Sequence, residues 1–162
     1  MGIKRIGDWN KARQMTNNLN NDIELANTIV LKKIGLKTER LIIKWIASQP
    51  SSWPKLSEDY QEWKSKKGLS NLMLRKSSDM INRITSDANE NRAFIGVKKN
   101  AINKEGEKLA NIAAVMEFGS KKRNIPARPF LSPAHRLMLR KIREDRLFQK
   151  FLLEELKRKY IL

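Results

Sequence analysis

The chain offers few residues that could carry out acid–base or nucleophilic chemistry. Its 162 residues include one histidine, His135, and no cysteine. Catalysis of either kind needs a group whose pKa or nucleophilicity is tuned by a neighbour. Arg136, beside His135, would disfavour the charged form of the imidazole, and no partner residue is evident from the sequence. A structural or surface histidine is therefore the favoured interpretation, and the sequence predicts no enzyme.

Paired acids are the other candidates for chemistry. Glu58 and Asp59 are adjacent, and Glu105 and Glu107 alternate. Acids near helix starts usually favour the helix dipole, and a zinc site without cysteine would need several carboxylates at ligand spacing. The chain has 7 glycines and contains no G-x-x-x-x-G-K-[ST] string of a phosphate-binding loop. The sequence therefore predicts neither a metal nor a cofactor.

Basic residues dominate the charged composition. Lys and Arg number 34 against 17 Asp and Glu, which gives a net charge of +17. Such a charge steers a protein toward polyanions, meaning either nucleic acid or an acidic protein surface. Aromatic residues do not interleave with the basic ones as a stacking platform requires, so any DNA binding is expected to be non-specific. The residues predicted to contact a polyanion or acidic partner are Lys121, Lys122, Arg123, Arg136, Arg140 and Arg143.

The overall composition is typical of one globular domain, predicted over 1–162. Apolar residues make up 40% and charged residues 31%, and the length suffices for a buried core. No run of about 18 apolar residues occurs, which argues against a membrane partner or span. The beginning of the chain lacks the apolar stretch of a signal peptide, and the absence of cysteine is compatible with assembly in a reducing cytoplasm.

Apolar spacing predicts helices at both ends of the chain. A short helix or arm is expected over 1–20, ended by an Asn-rich run. A long amphipathic helix should follow over 22–48, with Gly35 either a weak point or a close packing contact. A helical segment is predicted over 133–160. The apolar face of the short helix comprises Trp9, Ala12, Met15 and Leu19.

The middle of the chain predicts a linker and a small sheet. Residues 49–56 contain two prolines and two serines and should form a linker. Residues 84–86 and 93–97 are β-prone and flank a polar turn. A further helix should end at Gly119, and residues 128–132 could add a third strand at an edge. We expect an α+β fold in which a small antiparallel sheet of about three to four strands packs with one long N-terminal helix and a C-terminal helix.

One segment of the chain resembles a known family. An aromatic–glycine pair and a short basic loop precede a proline-rich string, and this order resembles the signature of the phage virion-morphogenesis and tail-completion families. Upstream, Trp53-Pro54-x-Leu56-Ser57 with Lys64 is similar to a stretch of the same families. The pieces match in order across about residues 50–134, with the family core predicted over 57–134. The string itself reads Ile125-Pro126-Ala127-Arg128-Pro129-Phe130-Leu131.

The resemblance implies a structural virion protein without a cofactor. Such a protein would be a tail-completion or head–tail joining component, made in the host cytoplasm, that forms a ring, commonly hexameric, at the neck or tail end. Its partners would be further copies of itself, connector or portal-side proteins, and tail-tube or tail-terminator proteins. The alternative suggested by the charge is a basic nucleic-acid-binding protein acting on phage or host DNA. The residues expected at the subunit or partner contact are Glu117, Phe118, Gly119, Ile125, Pro126, Ala127, Arg128, Pro129, Phe130 and Leu131.

The two prolines of the string predict that residues 125–131 form a stiff, extended segment, which we call the strip. Proline fixes φ near −65° and removes a backbone donor, so the strip cannot be a central strand. Arg128 is expected to fork onto a carboxylate, with Glu117 the nearest candidate. Strand alternation would place Phe130 on the same side as Arg128 and Leu131 on the other. An ordinary edge strand that closes the core is the competing interpretation.

Overall fold

The computed structural model describes residues 7–76 and 78–160, except for the side chain of Met15. Residues 1–6, 77 and 161–162 of the predicted domain lie outside it, and so does Met15 of the predicted apolar face. The α+β class is confirmed, with a long N-terminal helix and a C-terminal helix. The elements are α1 (Trp9–Ser48), α2 (Glu58–Lys66), α3 (Asp79–Asn82), β1 (Ile84–Ala88), β2 (Ala93–Val97), α4 (Leu109–Phe118), a 3-10 helix (Lys121–Arg123), α5 (Leu131–Glu144) and α6 (Leu147–Tyr160).

Helix α1 is continuous over 40 residues, about 60 Å at 1.5 Å per residue. Asp8 caps it by accepting a hydrogen bond from the Lys11 backbone N–H at 3.0 Å. The predicted break at the Asn-rich run is therefore wrong. Asparagine costs a helix only a few tenths of a kcal/mol per residue, and the capped first turn and the packed later turns outweigh that cost. Trp9 and Leu19 of the predicted apolar face remain exposed.

The predicted hairpin is present, but the sheet is smaller than expected. In the described residues it has two antiparallel strands, with Ile84 opposite Val97 and Ala88 opposite Ala93. Residues 128–132 do not form the predicted third strand, because α5 begins at Leu131. The backbone N–H groups that a strand would use for pairing bind the Glu117 carboxylate instead.

Gly35 marks a close approach of α1 to the sheet. A Cβ atom added at Gly35 would lie 3.0 Å from the Cβ of Ser86 on β1. Of the two interpretations of Gly35, the close packing contact is therefore correct. The Ser86 hydroxyl also donates to the Glu39 carboxylate at 2.9 Å, which adds a polar contact between the helix and the hairpin.

Two apolar clusters lie along α1. One contains Val30 and Ile34 with Met138, and α5 and α6 pack around it. The C-terminal segment predicted over 133–160 is two helices, because the chain turns at Arg146, whose φ is +50°, and α6 returns along α1. No helix in the described parts of the chain is long and apolar enough to cross a membrane. The larger cluster, around the hairpin and α4, comprises Ile42, Ile46, Trp53, Met80, Ile81, Ile84, Leu109, Ala113, Phe130 and Ala134.

Candidate assembly site

Glu117, near the end of α4, caps the start of α5. Its carboxylate accepts hydrogen bonds from the backbone N–H groups of Phe130 and Leu131 at 2.8 Å and of Ser132 at 3.0 Å. The Ser132 hydroxyl donates to the same carboxylate. The first N–H groups of a helix have no partner within it, and the residue at the cap position, Phe130, has no side-chain acceptor. Glu117 supplies the missing acceptor from 13 residues away.

The capping role explains the charge state of Glu117. Burial by itself raises the pKa of this carboxyl group. The hydrogen bonds from the Ser132 side chain and from the backbone of Leu131, Phe130 and Ser132 act in the opposite direction and together lower the pKa below its usual value. Glu117 is therefore a carboxylate at neutral pH, and its negative charge lies at the positive end of the α5 dipole.

Arg128 does not pair with Glu117, so that prediction is wrong. Its Nε donates to the Pro54 carbonyl at 2.8 Å and its guanidinium donates again to the Lys55 carbonyl at 3.0 Å. Only 5% of the Arg128 surface is exposed. The planar guanidinium presents its donors as a fork, and here the fork holds two successive carbonyls of the linker. The Glu117 carboxylate already binds the N–H groups at the start of α5. Arg128 uses the carbonyl oxygens of Pro54 and Lys55 as acceptors in its place.

The linker binds back to the strip. The indole N–H of Trp53 donates to the Pro129 carbonyl at 3.1 Å, and the indole of Trp45 on α1 donates to the same carbonyl at 3.2 Å. The Arg128 backbone N–H also donates to the Met116 carbonyl at 2.7 Å. The proline-rich string and the Trp-Pro linker thus bind each other inside the domain. This contact explains why the two segments occur together in the sequence.

Gly119 is required where α4 meets the strip. Its φ of +77° and ψ of 176° lie in a region open essentially to glycine alone. A Cβ atom there would lie 2.9 Å from the Ala127 backbone nitrogen and 3.0 Å from the Ile125 carbonyl oxygen. Glycine therefore lets the strip cross directly over the end of α4.

The basic loop after Gly119 is a compact turn. Ser120 and Ile125 exchange two backbone hydrogen bonds, at 2.8 and 2.9 Å, and the 3-10 helix over Lys121–Arg123 lies between them. The three basic side chains of that helix are exposed. This closed turn holds the strip beside α4.

Lys64 joins α2 to the segment that precedes α3. Its amino group donates to the Leu72 carbonyl at 2.9 Å and to the Arg75 carbonyl at 3.2 Å. The residue is 2% exposed, and burial lowers the pKa of its amino group. Lys64 ends the stretch from Trp53 that is similar to the family, and it thus makes a second internal contact.

The predicted contact residues divide into a buried set and an exposed set. Glu117, Arg128 and Phe130 are 4%, 5% and 0% exposed, so they cannot touch another molecule directly, and Phe130 belongs to the core. Pro129 and Leu131 are partly buried. In contrast, Phe118 is 78% exposed, and Pro126 and Ala127 are exposed as well. The strand alternation expected to place Arg128 and Phe130 on one face does not apply, because residues 128–132 form no strand and α5 begins at Leu131.

The exposed set lines a groove between α2 and the strip. The groove has a volume of about 1030 Å³. Tyr60 and Leu72 lie on one side, and Phe118, Ile125 and Pro126 lie on the other. We call these five residues the groove rim. Charged residues, among them Glu105, Glu107 and Lys121, line the groove as well. An open groove with apolar and charged lining can seat a segment of another protein.

The predicted polyanion contacts lie on two surfaces. Lys121 lines the groove, whereas Arg136 and Arg140 line a cleft between α1 and α5. Arg143 is exposed on the same helix one turn further on. Since no surface contains all six predicted residues, the basic loop and the α5 face are separate candidates for partner contact.

His135 is a half-buried residue of α5. Burial lowers the pKa of its imidazole, and the negative charge of Glu117 partly opposes that shift. Its Nε2 is buried and has no hydrogen-bond partner among the described residues. Within the same part of the chain, no group of three acidic or histidine residues could hold a metal ion.

The chain belongs to the phage virion morphogenesis family, whose pattern matches residues 7–147 and so covers all of α1 to α5. This is a structural and assembly family, and the chain has a structural or assembly role in a phage virion. The chain is also similar to an uncharacterized protein of Methanocaldococcus jannaschii, with 34% identity over 128 residues that cover 75% of this chain and 82% of that protein. No solved structure shows a significant match.

Proposed function

We propose that the chain is a tail-completion or head–tail joining protein that forms a ring at the neck of a tailed phage. The proposal rests on one observation. The side chain of Phe118 is exposed, although the neighbouring residues of the family signature are held by internal contacts. The side chain is 78% exposed, although both neighbouring positions are fixed by the contacts of Glu117 and Gly119. An exposed aromatic side chain on a rigid backbone is typical of an interface anchor.

The buried residues of the signature support this role indirectly. Arg128 fixes the linker, Glu117 fixes the start of α5, and Phe130 fills the core. Together they hold the backbone of Pro126 and Ala127 beside Phe118 before any partner arrives. A surface that is ordered in advance loses less conformational entropy on binding. The groove rim is therefore the proposed contact surface for another copy or for a connector, portal-side, tail-tube or tail-terminator protein.

Complementation in the phage tests this function. A phage that lacks the gene should produce filled heads and tails that do not join, and the unmodified chain supplied in trans should restore infectious particles. Phe118→Ser should lower the yield of joined particles at least about tenfold, because an interface anchor contributes about 2 kcal/mol or more. Phe94→Ser is the matched control, since Phe94 is an exposed phenylalanine on β2, away from the groove.

Two results would count against the proposal. Normal joining in the deletion phage would remove the joining function itself. Equal yields from Phe118→Ser and the unmodified chain would leave the function standing but remove the groove rim as its contact surface. Circular dichroism of the purified Phe118→Ser chain should match that of the unmodified chain, because the side chain is exposed.

The alternative function is non-specific binding of phage or host DNA. The charge of +17 and the exposure of all six predicted basic residues favour it. Three phosphate contacts from one of the two basic surfaces would make the binding constant fall with salt with a log–log slope of about −3. Fluorescence titration with duplex DNA at two salt concentrations distinguishes the functions, because absence of binding near physiological salt would remove this alternative.

A further inference from the structure

We propose that neighbouring copies of the chain join head to tail, with the acidic outer face of α2 in one copy seated in the basic cleft between α1 and α5 of the next copy. The inference rests on the proposed ring and adds the two surfaces that would build it. These surfaces share no residue with each other.

The acidic face of α2 consists of Glu58, Asp59, Glu62 and Trp63, all of them exposed. Residues four apart on a helix lie on the same side, so these four side chains form one stripe. It is the only place in this strongly basic chain where three acids occur within five residues. Among the described residues, Glu58 and Asp59 form no ion pair, whereas Glu62 pairs with Lys66 at 2.8 Å.

Trp63 gives the acidic face an apolar anchor. It is 40% exposed, and its ring stacks on Tyr60 with 5.5 Å between the ring centroids. The other side of α2, which carries Tyr60 and Lys64, faces the groove and the buried contacts of Lys64. Trp63 thus contacts Tyr60 of the groove rim, and the Lys76 amino group lies 5.8 Å from its ring. The three acids do not line the groove, so they are available to a separate partner.

The basic cleft has the complementary composition. Lys44 of α1 and Arg136 and Arg140 of α5 line it, and none of the described residues that line it is acidic. Glu144 lies 3.9 Å from the Arg140 guanidinium but outside the cleft, on the exposed side of α5. The volume of the cleft is about 640 Å³. Its apolar and small lining residues are Leu41, Trp45, Ser48, Pro133, Ala134 and Leu137.

Charge and shape together favour a second copy as the occupant. Three cations facing three acids steer the two surfaces into one orientation, and the apolar floor offers Trp63 a site that excludes water. DNA phosphates would satisfy the cations but would leave the apolar floor uncovered. A contact between two different surfaces of identical copies is heterologous, so each copy presents a free surface to the next. Such a series forms a ring when the rotation between copies closes, as the proposed ring requires.

Charge reversal tests the pairing in the same complementation assay. Glu58→Lys with Asp59→Lys should lower the yield of joined particles at least about tenfold, because like charges then face each other across the contact. Arg136→Glu with Arg140→Glu should have the same effect. The chain that carries all four substitutions should recover most of the yield, because the charges are again complementary. Reversals at exposed residues elsewhere, Glu90→Lys with Glu154→Lys and Lys99→Glu with Lys104→Glu, serve as controls for charge alone.

A cysteine pair provides a measurement that does not depend on the charged residues of the cleft. The chain has no cysteine, so Glu62→Cys on α2 and Ser48→Cys in the cleft introduce the only thiols. Oxidation of assembled particles should give a ladder of cross-linked copies on a non-reducing gel. Asn91→Cys, at the hairpin tip, replaces Glu62→Cys in the control chain, which should give no ladder.

The outcomes separate this inference from the proposed function. If the unmodified chain fails to restore joining, the proposed function is wrong. If it restores joining but the fourfold variant does not recover and no ladder forms, the two surfaces meet other partners and the head-to-tail contact is overturned. A defect from the basic reversal alone, with a normal yield from the acidic reversal, would assign the cleft to DNA or another protein and would also overturn it.

Discussion

The carboxylate of Glu117 accepts a hydrogen bond from the backbone N–H of Phe130 at 2.8 Å, across 13 residues of sequence. The contact joins the end of α4 to the start of α5. It also places Phe130 in the core, where its side chain is fully buried. The segment between the two residues is therefore tied down at both ends, and this geometry holds Phe118 and the strip at the rim of the groove.

Loss of the Glu117 carboxylate should destabilise the fold. Glu117→Ala leaves three backbone N–H groups at the start of α5 without an acceptor, and we expect the free energy of unfolding to fall by about 2–3 kcal/mol. Urea denaturation measures the change. Glu154→Ala, at an exposed position of α6, is the matched control and should stay within about 0.5 kcal/mol of the unmodified chain. Equal stability of the Glu117→Ala chain would show that the cap contributes nothing.

The same carboxylate should make stability depend on pH. The pKa of Glu117 is lowered in the folded chain, so its contribution is present in full above the pKa of the unfolded chain, about 4.3. The contribution is lost as pH falls through the folded-state value. The stability difference between the unmodified chain and Glu117→Gln should therefore be constant from pH 8 to about 5 and shrink below about 4. A difference that stays constant down to pH 3 would contradict this assignment.

Replacement of Arg128 by alanine or by lysine should destabilise the fold. Arg128→Ala removes two charge-assisted hydrogen bonds to the linker carbonyls, and we expect a loss of about 2–4 kcal/mol in the free energy of unfolding. Arg128→Lys should lose about half as much, because one amino group cannot present the fork of a guanidinium. Hydrogen exchange should also rise at Trp53, whose backbone N–H donates to the Pro50 carbonyl at 3.0 Å within the linker. Arg123→Ala, at an exposed position, is the control, and a loss as large as that of Arg128→Ala would point to a general charge effect.

Gly119 offers a test of the close approach between α4 and the strip. Gly119→Ala places a Cβ 2.9 Å from the Ala127 nitrogen, and we expect a loss of about 3 kcal/mol, from steric overlap added to backbone strain. Gly106→Ala has nearly the same φ, +79°, but its Cβ meets no atom of the described residues within 4 Å, so it should cost only about 1 kcal/mol. Thermal unfolding of both variants separates the two costs. Equal losses would mean that the approach to Ala127 contributes nothing.

Much of the fold follows from local sequence patterns. The linker at 49–56, the hairpin and the helix that ends at Gly119 are all present, because proline, β-branched residues and glycine act through their own backbone preferences. The break expected in α1 is absent, because a run of asparagines is a weak local signal that a long packed helix overrides. The turn at Arg146 was missed, since a non-glycine residue with positive φ leaves no clear mark in a sequence.

The sequence identified the important residues of the site, but it did not predict the contacts that they make. Glu117, Arg128 and Phe130 were expected at an intermolecular contact, and the structure uses all three inside the domain. Local spacing suggested that Glu117 and Arg128 pair, but each binds backbone atoms brought near only by the fold. No sequence signal marked the role of Glu117, because Ser132 followed by Pro133 is a usual pattern for a helix start. In the structure α5 begins earlier, at Leu131, and its first N–H groups need an acceptor from elsewhere. The contacts of Trp45 and Trp53 with the Pro129 carbonyl likewise had no signal in the sequence.

Electron cryo-microscopy of the phage particles tests the central claim most directly. The proposed function predicts a closed ring of density at the head–tail junction or tail end, into which copies of the α1–α6 fold fit with Phe118 at a contact between proteins. Particles that contain no copy of the chain at either place, although the heads and tails are joined, would contradict it.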